Sequence, residues 1–410
     1  MHPALAQFRR PGVTASPRCA GELCQEVPTI DAADSNSLAM EIFYARRDMG
    51  SLAVVEDGRP IGLINRDIFL SQMSKPFHRE LYDKKSCIAF MDKEPLIVDA
   101  DMSIEALTFK TVEAGNKALS DGFIVTRHGR FVGLASGFQL LGAVAEVQAE
   151  KNRQIMQSIE YASVIQQAML RASRDALSSM LTDAVLVWEP RDVVGGDFYH
   201  FASFHDGWFG AVADCTGHGV PGAFMTLLAS ASLSQALERI GPRDPAALLA
   251  AVNRNVKGLL GQVHGKGESP KSNDGLDAAF FWFDAAQRQL YFSGARIALH
   301  VLRPDAVHFD SISGERMGVG YVDSQADYAW ALNTVALAPD SLLFVSTDGL
   351  IDQIGGPRKI AFGKRRALDL IFERRAQPLS VIRDGLQGAF ADWQGAQARR
   401  DDVTLFFARV

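Results

Sequence analysis

The stretch DCTGHGVPGAF (Asp214–Phe224) decides how this chain is read. It follows GWFGAVA, an apolar run of strand character, so Asp214 stands at a strand end. Gly217 and Gly219 permit a tight backbone path after it, and Pro221 suits the first turn of the apolar helix that follows. Backbone packed so closely can turn a main-chain carbonyl, that of Cys215, toward a cation. Other acids hold comparable places. Asp197 opens a strand in VVGGDFYHF, and Asp348 closes one in SLLFVSTDGLID. The doublet Asp401–Asp402 opens the last strand, in RRDDVTLFFARV. Singly, each acid reads as a turn or a cap. In an antiparallel sheet, however, two strand starts and two strand ends can share one edge.

Four carboxylates gathered there repel one another unless a cation neutralises them. Hard oxygen ligands suit Mg²⁺ or Mn²⁺. Two such ions about 3.5–4 Å apart can activate a water for in-line attack on phosphorus. The expectation is a phosphoryl hydrolase without a covalent nucleophile. Cys215 has no Ser/His/Asp context and is not read as one. His218, in the Gly-His-Gly turn, either protonates a leaving oxygen or holds its loop through a hydrogen bond. Arg296 either meets a substrate phosphate or forms a salt bridge.

The chain has 410 residues, enough for two or three domains with cores of their own. Its 42 Lys and Arg against 48 Asp and Glu give a net charge of -6, which argues against nucleic-acid binding by bulk charge. No run approaches the roughly 18 consecutive apolar residues of a membrane span, and the N-terminus lacks a secretory apolar core. Cys19, Cys24, Cys87 and Cys215 form no CxxC pair. A cytoplasmic, reduced protein is expected.

Residues 1–25 mix Pro, Gly, Arg and Ser without period and read as a loose tail. Residues 26–146 carry an internal repeat. LAVVEDGRPIGLINRDIFL (Leu52–Leu70) aligns with FIVTRHGRFVGLASGFQLL (Phe123–Leu141), matching Gly58 with Gly129, Arg59 with Arg130, Gly62 with Gly133 and Leu63 with Leu134. Each copy reads as strand, glycine turn, strand and helix, behind an entry strand and a capped helix. Two such units should pack on one another. Residues 147–182 contain no Pro or Gly and favour helix. Ile155, Ile159, Ala162, Ile165 and Met169 make one apolar stripe on it, suited to a helical hairpin, a dimer or an ordinary core contact. From 183 to 410 the pattern is apolar strands with two helical stretches.

The repeat resembles a tandem CBS module. That resemblance implies an α/β sensory unit with a nucleotide or protein ligand. Asn65 and Asp67 stand near the family's nucleotide-binding positions with altered spacing, and the second copy offers Ser136 and no acid. VVGGDFY, ADCTGHGVPGAF, FVSTDGLID and RDDVTLFF, in this order behind the helix YASVIQQAML, resemble the SpoIIE-type, RsbU-like branch of the PPM metal-dependent serine/threonine phosphatases. The fold implied is α+β: an antiparallel β-sandwich flanked by helices, with two metal ions at one end. The resemblance implies that Asp214 bridges both ions and that Asp197 assists at the first. The Cys215 carbonyl, Asp348 and Asp401 hold the second or its waters, the doublet with Asp402 leaving one residue of ambiguity. Two departures stand out: Ser293-Gly294-Ala295-Arg296 where many relatives have Ala-Gly-His, and Asp277-Ala278-Ala279-Phe280 where a Thr is common. By the family's habit the substrate is a small phosphorylated STAS-domain (anti-sigma-antagonist-like) protein in bacterial partner switching. The helix relays the sensor's state through a homodimer. Two other readings are a phosphoprotein-binding scaffold and a cyclic-dinucleotide synthase, the latter because VGGDF looks like GGDEF. Tyr199 and the altered acid–Phe order fit the synthase poorly and leave Asp214, Asp348 and Asp401 without a role.

Overall fold

A computed structural model describes residues 17–262 and 272–410. Contacts divide the chain into two units, Met1–Met156 and Gln157–Val410. Residues 1–16 of the expected tail lie outside the described residues. The rest of that tail is folded, contrary to expectation. Ala20 and Gly21 donate to the carbonyls of Met102 and Ala100, which seats helix α1 (Ala20–Leu23) in the core of the first unit.

The first unit builds one motif twice. Strands β1 (Thr29–Asp31), β2 (Ser51–Glu56) and β3 (Arg59–Asn65) form one sheet. Strands β4 (Ile97–Asp99), β5 (Phe123–Arg127) and β6 (Arg130–Ala135) form the other. Each has a parallel entry strand and an antiparallel hairpin. The hairpins turn through Asp57-Gly58 (φ 52° and 76°) and His128-Gly129 (φ 52° and 75°), the left-handed pair that a twisted two-residue turn demands. The matched glycines Gly62 and Gly133 are explained by close approach. A Cβ on Gly62 would lie 2.7 Å from the Asp92 carbonyl oxygen, and one on Gly133 2.4 Å from that of Gln25. Helices α2 (Asn36–Ala45) and α3 (Arg66–Met73) share a core with the first sheet, with the short α4 (His78–Tyr82) beside them. Helix α5 (Ile104–Ala114) covers the second sheet, and α6 (Asn116–Asp121) leads into β5. Ala53, Leu63 and Ile124 join the two halves.

Helix α7 (Gly137–Met180) starts in the first unit and continues into the second. In the second unit it buries Ser163, Gln166, Leu170, Ser173 and Leu177. The expected stripe is therefore rotated: Ile155 and Ile165 are 58% and 46% exposed. A polar residue, Gln166, takes the inward place because it meets main chain there rather than apolar side chains.

The second unit continues with β7 (Ala184–Glu189), β8 (Asp197–Phe204) and β9 (Gly207–Cys215). Helices α8 (Gly219–Ile240) and α9 (Pro245–Leu260) follow. Then come β10 (Leu276–Asp284), β11 (Gln289–Ala295), β12 (Leu299–Leu302), β13 (Asp310–Ile312), β14 (Asn333–Ala336) and β15 (Leu342–Ser346). Helix α10 (Asp348–Ile351), the small hairpin of β16 (Ile354–Gly355) and β17 (Ile360–Ala361), α11 (Lys364–Glu373), α12 (Leu379–Gln394) and β18 (Val403–Arg409) complete it. Two five-stranded antiparallel sheets result, ordered β14-β11-β10-β9-β8 and β13-β12-β15-β18-β7. An aromatic pad joins them: the Phe406 ring of β18 lies 4.8 Å from Phe201 and 5.6 Å from Phe281. Helices α8 and α9 cover the outer face of the first sheet, and α11 and α12 that of the second. With both faces covered, β10 reads as an unbroken apolar run, AAFFWF, rather than an alternating one. Helix α8 is long and apolar enough to cross a membrane by length and composition, and here it packs as a core helix on β8, β9 and α9.

Candidate metal centre

Three acids line up across the first sheet. Asp197 at the start of β8 stands opposite Asp214 near the end of β9, which stands opposite Asp277 in β10. Directly opposite residues of antiparallel strands project to the same face, and like charges there are destabilising. The second sheet adds Asp348, which begins α10 just after β15, and Asp401, just before β18. Asp348 lies beside Asp214, and its charge raises the Asp214 carboxyl. Burial, then the neighbouring acids, holds Asp214 well above the usual carboxylate range. Burial likewise raises Asp348 and Asp197. The charge of Asp401 acts upward on all three, so its carboxylate belongs to the same cluster.

Asp197 is fully buried. Its Oδ2 accepts from the hydroxyls of Thr347 (2.8 Å) and Thr404 (2.7 Å), both on the second sheet's side of the site. Its Oδ1 is buried without a partner. Asp402 plays a different part. It accepts from the main-chain N–H of Arg191 and of Gly196, each at 2.5 Å, and so fastens the loop that precedes Asp197. Close backbone approach completes the knot. A Cβ on Gly196 would fall 2.3 Å from the Gly217 carbonyl oxygen and 2.8 Å from that of Cys215. The Cys215 thiol is buried and pushed well above its usual pKa by that burial, which suits no thiolate chemistry.

Beside the acids lies a cleft of about 270 Å³, lined by Asp214, Asp277, Asp348, Arg296, His300 and Lys364 among others. Arg296 holds an unusual φ of 63°. Its Nη1 lies 3.3 Å from Asp277 Oδ1, its Nε donates to the Arg316 carbonyl at 3.0 Å, and its guanidinium sits 4.8 Å from the centre of the Tyr321 ring. Burial pushes Asp277 up to about 6, opposed by Arg296. Asp277, Thr347, Thr404 and Lys364 were not assigned to the site by sequence reasoning. The departure from the common Thr at 277 was the one available signal. His218 stands elsewhere, half exposed, with Nδ1 2.7 Å from Asp192 Oδ2. In the first unit, Asn65 caps α3 through the Ile68 N–H and donates to Asp121, while Asp67 is exposed in the first turn. The small cleft beside Leu63 and Asp121 is about 40 Å³, too small for an adenine ring.

The donor set suits hard divalent cations: oxygen atoms only, mutually repelling, one of them buried and unpartnered. Among the described residues no three His, Cys, Asp or Glu side chains yet converge tightly enough to hold one ion. Asp214, Asp277 and Asp348 therefore line the cleft without closing a cage of their own.

Comparison with known proteins agrees with this architecture. The family described as Stage II sporulation protein E (SpoIIE) matches residues 205–410, half of the chain, and the CBS domain family matches residues 20–75. The SiaA-PP2C domain of Pseudomonas aeruginosa is 35% identical with a TM-score of 0.57, over 64% of this chain and 99% of that domain. The PP2C phosphatase domain of SpoIIE from Bacillus subtilis, with a fragment of its regulatory domain, is 15% identical with a TM-score of 0.44, over 56% of this chain and 63% of that one. The RsbU and RsbW domains of a Mycobacterium tuberculosis protein are 19% identical with a TM-score of 0.43, over 55% of this chain and 60% of that one. None of the curated proteins matches. With two antiparallel sheets, four motif acids at one end of them and these matches, the chain belongs to the SpoIIE family of PPM-type serine/threonine phosphatases and carries a CBS domain ahead of the phosphatase domain.

Proposed function

We propose that the chain hydrolyses phosphoserine or phosphothreonine on a protein substrate with two divalent cations, Mg²⁺ or Mn²⁺, held by Asp197, Asp214, the Cys215 carbonyl, Asp348 and Asp401. One observation carries this: the cross-strand pair Asp197–Asp214, with Asp348 beside Asp214 and an orphaned oxygen on Asp197. When bound, such ions supply activation of water and neutralisation of phosphoryl charge. The chain's own groups do the positioning. Asp214, with the other sheet's Asp348 beside it, would help to hold the cations. Thr347 and Thr404 fix the Asp197 carboxylate. Arg296, braced by Asp277 and Tyr321, and Lys364 offer cationic donors to phosphate oxygens in the cleft. His218 holds its loop through Asp192 and is not given the leaving-group proton.

The substrate is read as a phosphorylated STAS-domain protein of a bacterial partner-switching pathway, met in the cytoplasm, a compartment that suits four free cysteines. Residues 26–146 are read as the sensory module, 147–182 as the relay and 183–410 as the phosphatase. With Asn65 engaged as a cap, a protein ligand is the better reading for the sensor than a nucleotide. Exposed Tyr161, Val164 and Ile165, neighbours on the α7 surface, support a homodimer through that helix.

The test is turnover of an aryl phosphate and of a phosphorylated STAS protein by the full chain, with and without Mn²⁺, reading the phosphosite by mass. Asp214→Asn should lower turnover by about 10²-fold or more. Activity that survives this substitution sinks the metal assignment. Binding of the phosphoprotein with no Mn²⁺-dependent turnover favours the scaffold reading instead.

A further inference from the structure

At about 270 Å³ the cleft beside the acids approaches the roughly 300 Å³ of pockets that take a whole small molecule, more than one phosphoryl group fills. Its far end has a chemistry of its own. Ser346 and Phe344 of β15 share a face, and His300 of β12 stands directly opposite Phe344. All three line the cleft, so from Asp348 it runs back along the sheet, about 7 Å from Ser346 to Phe344 at about 3.3 Å per strand residue. Ile351, Lys364 and Ala367 wall it there. The Gly363 N–H donates to the Ile351 carbonyl at 2.8 Å, which ties the start of α11, and Lys364 with it, to that wall.

Lys364 is the uncommitted cation of this end. Arg365 lies 3.6 Å from Asp369, and Arg366 sits 3.7 Å over the Trp393 ring. Arg296 is engaged by Asp277, the Arg316 carbonyl and the Tyr321 ring. Lys364 is exposed and has no acidic partner among the described residues. Its charge is nevertheless felt inside the cleft: burial, then Lys364, pushes His300 down to about 4, so the ring is neutral at pH 7. Nδ1 of His300 is engaged by Ser311 Oγ at 2.7 Å, and Nε2 has no partner among the described residues. An ammonium without a counter-ion, beside a neutral imidazole nitrogen, is a receptor for an anion.

We infer that Lys364 is a specificity-determining residue, which receives an acidic side chain standing next to the phosphorylated serine or threonine of the substrate protein. The inference rests on the phosphatase reading above and names a substrate class for that same site. With the phosphoryl group at the acids and Arg296, the next residue of an extended substrate lies about 3.8 Å further along its chain. A carboxylate on that residue reaches past Phe344 to the ammonium. An amide there offers a weaker acceptor, and a basic side chain meets like charge.

The experiment gives the full-length chain, with Mn²⁺, phosphoserine peptides that differ only in Asp, Asn or Lys immediately before or after the phosphoserine. An aryl phosphate, which has no flank, is measured beside them. Wild type should favour Asp over Asn by roughly 10-fold in kcat/KM at one of the two positions, the worth of a charge-assisted hydrogen bond. Lys364→Met should bring the Asp peptide down to the level of the Asn peptide. Lys364→Glu should reverse the order and put the Lys peptide ahead of the Asp peptide, which lost packing alone does not do. A common factor of loss across all peptides and the aryl phosphate in Lys364→Met would show that this side chain meets only the phosphoryl group, and overturns the inference. Equal turnover of the three peptides by wild type overturns it too, and that comparison stands even where a variant does not fold. No Mn²⁺-dependent turnover of any peptide or of the aryl phosphate by the unaltered chain overturns the phosphatase reading, and the inference with it, a result distinct from equal turnover.

Discussion

Asp401 and Asp402 are neighbours in the chain with opposite demands on their surroundings. Asp402 accepts two main-chain N–H groups, from Arg191 and Gly196, whereas the Asp401 charge bears on Asp197, Asp214 and Asp348. Asp402→Asn should therefore destabilise the chain by about 2 kcal/mol, the worth of a charge-assisted hydrogen bond to a buried donor. Asp401→Asn should leave the metal-free melting temperature level or higher, because it relieves repulsion, and should abolish Mn²⁺-dependent turnover. Thermal unfolding of both variants without metal, beside their activities, checks the pair of outcomes. His300 offers a pH test. It stacks on Phe344, its Nδ1 lies 2.7 Å from Ser311 Oγ, and burial, then Lys364, pushes it down to about 4. The unfolded chain takes up this proton below about pH 6.5 and the folded chain only below about 4. Stability from this group is thus intact above 6.5, falls between 6.5 and 4, and falls no further below, by about 3 kcal/mol in all. Urea midpoints at pH 7 and 5 should differ less in His300→Phe than in wild type. At this scale, Asp197, Asp214 and Asp348 were legible because each marks a strand boundary inside a glycine-rich motif. The roles of Asp402 and Gln166 were not, because both depend on which distant N–H comes within reach after folding.

At the level of elements, the two sheets are held face to face by aromatic side chains contributed from both. Phe406 is the centre of that pad, within 6.3 Å of Trp208 as well as close to Phe201 and Phe281. Phe406→Ala should cost about 3–5 kcal/mol, through lost burial and the cavity left between sheets. Phe406→Leu, which keeps most of the volume, should recover the larger part. Denaturant midpoints at constant m-value decide this, and equal midpoints for Phe406→Ala and wild type would contradict the pad. Some elements could be read from sequence for physical reasons. The hairpins of the first unit carry Asp57-Gly58 and His128-Gly129 at the same place, and the chain adopts the same positive φ values at both. Helix α7 was legible as a helix but not in its orientation. Apolar periodicity favoured Ile165, yet the inward position belongs to Gln166, because its neighbour is a bare glycine peptide that only a polar side chain satisfies.

For the molecule as a whole, the net charge of -6 is a poor guide until the acids are placed. Asp197, Asp214, Asp277, Asp348, Asp401 and Asp402 all lie in the second unit, at one end of its two sheets, so the energetic burden of mutual repulsion falls on that unit alone. The first unit has its own sheets and its own cores, and none of these acids. Binding of cations to the folded second unit should stabilise it by mass action, about 2.7 kcal/mol for each site at a free concentration one hundred times its Kd. The first unit should gain nothing. Differential scanning calorimetry of the full chain, with chelator and then with rising Mn²⁺, should show two transitions of which one moves upward with metal. The moving transition should be the one lowered by Phe406→Ala, and Asp214→Asn should hold it nearly still. Equal movement of both transitions, or none of either, would show that the acids at the end of the sheets do not form a cation site of the second unit.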